Sequence, residues 1–96
     1  MEERYVWVTT RRLKLGTLDD FEHAWRPEQR PEGMERAFAY WSEDGREVMG
    51  VSFWASQEAC DRWRASEDEA RRRQAMAPYV EEESEAFYKG RELGLP

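Results

Sequence analysis

The segment VSFWASQEACDRWRASEDEARRR, residues 51–73, changes periodicity within a few positions. Up to Trp54 it alternates and is rich in β-branched and aromatic residues, as a strand is. Ser56 then stands at a helix N-cap with Glu58 in the first turn, and Ala59, Cys60 and Trp63 share one helical stripe. Ser66 with Glu69 three residues on has the form of a capping box. A strand feeding a helix that stops and restarts is therefore expected.

Upstream, Met34–Ser42 and Arg46–Trp54 read as two strands around Glu43-Asp44-Gly45-Arg46, and Asp-Gly between alternating runs is a strong hairpin signal. A two-residue turn at Asp44-Gly45 sets Phe38 opposite Val51 and Tyr40 opposite Met49 on one face. On the other face Trp41 meets Val48, Ala39 meets Gly50 and Ala37 meets Ser52. Trp54 belongs to that second set, so Ala37, Ala39, Gly50 and Ser52 form a shallow floor with tryptophans toward its ends.

Further upstream, Arg4–Leu13 is apolar on both alternating sets, Tyr5 and Trp7 against Val6 and Val8, as in a strand buried on two faces. After Gly16, Thr17 is placed to cap a helix with Asp19 and Asp20 in its first turn, and Leu18, Phe21, Ala24 and Trp25 gather on one side. Pro27 and Pro31 end that helix. Downstream, Pro78 closes the second helical region, Glu81–Glu83 reads as a solvated turn, and a last strand is expected from Ser84.

The order β-α-β-β-α-β over a single domain, residues 1–96, is an α+β, ferredoxin-like plan: a four-stranded antiparallel sheet with both helices on one face. The first three strands are apolar on both faces, so the uncovered face needs a partner, and a sheet-to-sheet homodimer is the simplest one. A domain of 96 residues also leaves much of its surface exposed unless an oligomer covers it.

Thirteen aromatics, five of them Trp, in a chain that is 38% charged describe a globular protein with bulky anchors between solvated faces. A net charge of −6 argues against nucleic acid or an anionic membrane as partner. The basic cluster Arg71–Arg73 follows Glu67, Asp68 and Glu69 by four residues each, which suits helical ion pairs. The N-terminus MEERYVWVTT has no signal-peptide architecture and no apolar run reaches membrane-span length, so the expected location is cytoplasmic.

Standard catalytic constellations are mostly absent. The one histidine, His23, lies opposite the apolar stripe of its helix and is expected in water, and the one cysteine, Cys60, reads as a small core residue. No Gly-rich phosphate loop, nucleophile elbow or metal-ligand spacing occurs, and neither metal nor cofactor is expected. What remains is a pocket between sheet and helices, enclosed by Trp25, Trp54 and Trp63, able to take a flat apolar ligand. The competing reading is that these tryptophans fill an ordinary core.

The strand ending in Trp54, the capping Ser56, Trp63 nine residues after Trp54 and Ser66 three later resemble the antibiotic-biosynthesis-monooxygenase family of small dimeric α/β-barrel proteins. The resemblance extends from strand 1 through Gly16 and Phe21 to the hairpin and the helix after it. It implies oxidation of a small aromatic or quinol without a conventional redox cofactor. In relatives that oxidise aromatic polyketides or degrade haem, strand 1 supplies an Asn seven residues before the Gly preceding helix 1. That position is Thr9 here, and the chain contains no Asn. Trp63 matches the pocket tryptophan of the haem-degrading branch, whereas its iron-ligating His corresponds to Arg73, which has no lone pair to give. Haem degradation by that route is accordingly disfavoured. Two classes stay open. One is a cofactor-independent monooxygenase with Trp25 and Trp63 as walls and Thr9, Arg11 and Tyr88 as polar contacts. The other is a non-catalytic dimeric module that binds a small apolar ligand or serves as a scaffold.

Overall fold

The computed structural model describes residues 3–96. Its elements are β1 (Arg4–Leu13), α1 (Leu18–Trp25), β2 (Met34–Trp41), β3 (Glu47–Trp54), α2 (Gln57–Arg64), α3 (Glu67–Met76), a 3-10 turn (Ala77–Tyr79) and β4 (Val80–Gly90). All pairings are antiparallel and the sheet order is β2-β3-β1-β4, the ferredoxin-like arrangement. The second helix is split as its caps require. The side chains of Ser56 and Ser66 accept hydrogen bonds from the backbone N–H groups of Ala59 and Glu69, each at 3.1 Å. The capping box at Ser66 is half made, because the Ser66 hydroxyl donates to the Trp63 carbonyl at 2.7 Å while the Glu69 carboxylate turns to Arg72. Thr17 occupies its N-cap position without capping, its hydroxyl donating back to the Lys14 carbonyl at 2.7 Å.

The hairpin register matches the sequence reading at each of the five pairs it named. The loop is larger than a two-residue turn. Ser42 N–H donates to the Glu47 carbonyl at 3.0 Å, and Glu43–Arg46 form a four-residue connection closed by Gly45 N–H on the Ser42 carbonyl at 2.9 Å. Two- and four-residue loops centred on the same bond leave the strand pairing unchanged, so the wrong turn still gives the right register.

The acidic run proves to be strand. β4 begins at Val80, and Arg11 faces Glu83 and Arg12 faces Glu82 across the β1–β4 ladder. The arginines of β1, with Arg46 from the hairpin loop, pair with Glu81 and Glu83 and relieve the repulsion that would have bent three consecutive glutamates into solvent.

Alternation places Trp7, Thr9, Arg11 and Leu13 of β1 beneath the helices, with Val48, Gly50, Ser52 and Trp54 of β3 beside them. Two apolar clusters form on that side: Trp7, Trp54, Ala59 and Cys60 at one end, and Leu13, Phe21, Val48 and Met76 at the other. Gly33, at φ 88°, lets the chain pass against Ala59 where a side chain would collide. The opposite sheet face carries no helix, and Tyr40, Met49 and Tyr88 lie exposed there. The domain is accordingly a slab of 40 × 35 × 20 Å. Its radius of gyration of 14.0 Å exceeds the ~12.5 Å of a compact domain of this length.

Candidate functional site

Between the two clusters the floor of the sheet is built from Thr9, Arg11, Gly50 and Ser52, and above it lies a cavity of about 350 Å³. Trp25 from the end of α1, Trp63 from α2 and Arg72 from α3 form the helical wall. Ala37 and Ala39 stay exposed although they sit on the helix side of β2, so the cavity opens toward that edge strand. Small residues opposite bulky ones leave the room, as the alternation of the hairpin implied. Gly50 carries the Trp25 ring directly over the sheet. A Cβ there would lie 2.5 Å from Trp25 Cζ2 and 2.8 Å from Thr9 Oγ1.

Two guanidiniums border this space, Arg11 buried and Arg72 partly buried. Arg11 donates from Nη1 to Thr9 Oγ1 at 3.0 Å and from Nε to Glu83 at 3.2 Å, and its guanidinium lies 5.7 Å from the Phe21 ring centre. Burial lowers its pKa, offset in part by Glu83. Arg72 donates from Nε to the Trp25 carbonyl at 2.7 Å, pairs with Glu69 and stands 5.8 Å from the Trp63 ring centre. Its pKa is likewise lowered by burial, with Glu69 opposing. Arg72 thus ties the last carbonyl of α1 to α3 and holds both tryptophan walls in one place. On an unbroken helix Trp63 and Arg72, nine residues apart, would face opposite ways after roughly two and a half turns. The break at Ser66 lets both reach the cavity.

Of the residues singled out from sequence, Thr9, Arg11, Trp25 and Trp63 meet at this cavity. Trp54 does not. It is fully buried, its Nε1 donates to Ser52 Oγ at 2.8 Å, and it packs with Trp7, Ala59 and Cys60 as core. Arg73 lies outside the cavity lining and is drawn to β4 by ion pairs with Glu85 and Glu83, with Glu69 at 3.6 Å. Tyr88 faces Val6 on the opposite side of the sheet and is 56% exposed. An even register position on β4 pairs with the even set of β1, which points away from the helices, and its distance along the chain from β1 hid that parity. Sequence reasoning missed Arg72, Trp7 and Met34, which do line the cavity. Glu69, an i,i+4 partner of Arg73 as the sequence spacing suggests, is fully buried between Arg72 and Arg73. The signal for Arg72 was available: with the helix restarted at Ser66, α3 has its own phase.

His23 is exposed, as its helical position implies. Burial pushes the Cys60 thiol up to about 12, so this buried cysteine carries no thiolate at neutral pH. Among the described residues no group of three or more His, Cys, Asp or Glu side chains gathers as a metal site, and no helix is long and apolar enough to cross a membrane.

No protein-family model matches the chain, and no curated protein matches it in sequence. Solved structures do. A cofactor-independent oxygenase from Streptomyces nogalater, SnoaB, superimposes with a TM-score of 0.82 at 15% identity, over 96% of this chain and 97% of its own. A Streptomyces coelicolor monooxygenase solved with nanaomycin D gives 0.82 at 20% identity, over 97% and 92%. An assigned antibiotic biosynthesis monooxygenase of Nitrosomonas europaea gives 0.80 at 19%, over 91% and 89%. At these identities the likeness is one of fold, and the chain has the ferredoxin-like fold of the antibiotic biosynthesis monooxygenases.

Proposed function

We propose that the chain is a cofactor-independent monooxygenase acting on a small electron-rich aromatic of the anthrone or quinol type. The observation that carries this reading is the cavity: tryptophan walls and an alanine-glycine floor suit a flat ring, with a threonine hydroxyl and two guanidiniums to orient it. The fold shared with monooxygenases, one of them described as cofactor-independent, supports the class. For an anthrone-type substrate the ring methylene supplies all four electrons. Two C–H bonds break, one oxygen of O2 becomes the new carbonyl, and the other leaves as water with both protons. Trp25 and Trp63 clamp the ring, and Arg11 and Arg72 favour the electron-rich anion that gives electrons to oxygen.

The test is oxygen uptake with anthrone and with reduced naphthoquinones. Consumption above the autoxidation rate, one O2 per anthrone and lost in Trp63→Phe or Thr9→Ala with the fold intact, supports the reading. No uptake by folded protein across that panel overturns it. One observation favours a binding module instead: the Thr9 oxygen is already engaged by Arg11, at a position where oxygenating relatives present an amide. Ligand binding without oxygen uptake would establish that second reading.

The same proposal includes assembly as a homodimer through the bare sheet face, where Val8, Tyr40, Met49, Val51, Phe53 and Tyr88 form a half-exposed apolar surface. Light scattering should give twice the chain mass, and Met49→Glu should give a monomer. A monomeric wild type at micromolar concentration refutes it.

A further inference from the structure

The floor of the cavity has more hydrogen-bond donors than the chain can use. Thr9 is 6% exposed and Arg11 3%. A hydroxyl has one proton and two lone pairs, whereas a guanidinium only donates. Since Arg11 Nη1 donates to Thr9 Oγ1, the Thr9 proton must point elsewhere, and among the described residues it has no acceptor. Arg11 has five N–H groups, of which one goes to Thr9 and one to Glu83, itself half exposed. Three remain unpaired. Ser52, the other hydroxyl on the floor, is used up, accepting from Trp54 Nε1 and donating to the Trp7 carbonyl at 3.4 Å. Arg72 adds a second positive charge to the same space, near enough to Arg11 that the two repel. Trp7 Nε1, on the same cavity lining, is a fully buried donor with no acceptor among the described residues. Donors that border a cavity without acceptors of their own are best satisfied by an anionic oxygen placed among them.

We propose that the cavity takes its ligand as an oxyanion on a flat ring, an ionised phenol or enol, with its negative oxygen held by the Arg11 guanidinium and the Thr9 hydroxyl. Arg11 and Thr9 are then the residues that select for acidity, and the tryptophan walls select for shape. This rests on the cavity being the ligand site, as the proposed function has it, but not on turnover.

The probes are 2-hydroxy-1,4-naphthoquinone, which is ionised at pH 7, and its neutral 2-methoxy ether, titrated against tryptophan fluorescence. The anion should bind about tenfold tighter or more, as hydrogen bonds to a charged group require. Arg11→Met, which keeps an apolar stem of similar length, should abolish the preference by weakening the anion's binding far more than the ether's. Thr9→Val should reduce it in part. Arg11→Lys, which keeps the charge without the fork, should retain some of it and guards against misfolding of the Met variant, with circular dichroism checking each protein. Equal binding of the two probes, or a preference that survives Arg11→Met, overturns the proposal while the cavity remains a ligand site. Binding of neither probe overturns both the proposal and the reading of the cavity.

Discussion

Gly50→Ala is the sharpest probe of the site, because two opposed effects meet at one carbon. In a strand without a positive φ, alanine for glycine ordinarily stabilises by about 0.4–1 kcal/mol through the unfolded chain. Here the added carbon would sit 2.5 Å from Trp25 Cζ2, 3.1 Å from Trp25 Cη2 and 2.8 Å from Thr9 Oγ1. The indole must retreat by roughly 1 Å to restore ordinary contact at about 3.5–4.0 Å. Overpacking of this kind costs about 1–3 kcal/mol, so the crowding outweighs the backbone gain and a net loss of about 1 kcal/mol is expected. For a domain this size that lowers Tm by about 4–8 °C. Urea and thermal melts followed by circular dichroism measure it, and tryptophan emission reports the displaced ring. In a Trp25→Ala background most of the obstruction is gone, so the same substitution should become neutral or stabilising, a coupling of about 1 kcal/mol in a double-mutant cycle. A Gly50→Ala protein more stable than wild type with unchanged emission would show that the Trp25 ring does not lie over Gly50, and the account of the cavity roof would fail with it.

Glu69→Ala should cost about 3–5 kcal/mol by removing a fully buried carboxylate and leaving the partly buried Arg72 without its partner. Glu69→Leu with Arg72→Met should recover at least half of that in the same urea melts, and a single substitution costing under about 1 kcal/mol refutes the buried pairing. Cys60, with its thiol pushed up to about 12 and no exposed surface, should be silent to Ellman's reagent at pH 8 and titrate as one thiol in denaturant; fast labelling of native protein contradicts this. At Glu85, burial raises the carboxyl pKa, but hydrogen bonds from Arg73 and Arg64 outweigh it and hold it below the ordinary value. Its contribution is therefore present above about pH 4.3, the usual glutamate value, and lost as pH falls through the lower folded pKa. The Tm difference between pH 7 and pH 3 should be smaller in Glu85→Gln than in wild type, and an identical difference refutes the assignment.

What was legible in the sequence was local. Ser56 and Ser66 announce their caps within three residues, and the hairpin pairs sit within twenty residues of one another, so their register survives a misjudged loop. Tyr88 and Glu81–Glu83 were misplaced because their surroundings come from β1, some seventy residues away. Read alone, three glutamates are a turn; read beside Arg11 and Arg12 they are the complementary strand. The cavity itself could be anticipated from Ala37, Ala39 and Gly50 facing tryptophans. Arg72 follows only when the restart at Ser66 is carried through to the phase of α3, because its side of the helix depends on that origin.

Ser66 is not among the residues that line the cavity, yet the composition of the cavity depends on it. A substitution that let α2 and α3 fuse into one rod would leave Trp63 where it is and swing Arg72 half a turn away, exchanging a cationic wall for whatever residue replaced it. A single hydroxyl outside the cavity lining thus sets the phase of the ten residues of α3, and with it whether a cationic side chain borders the cavity.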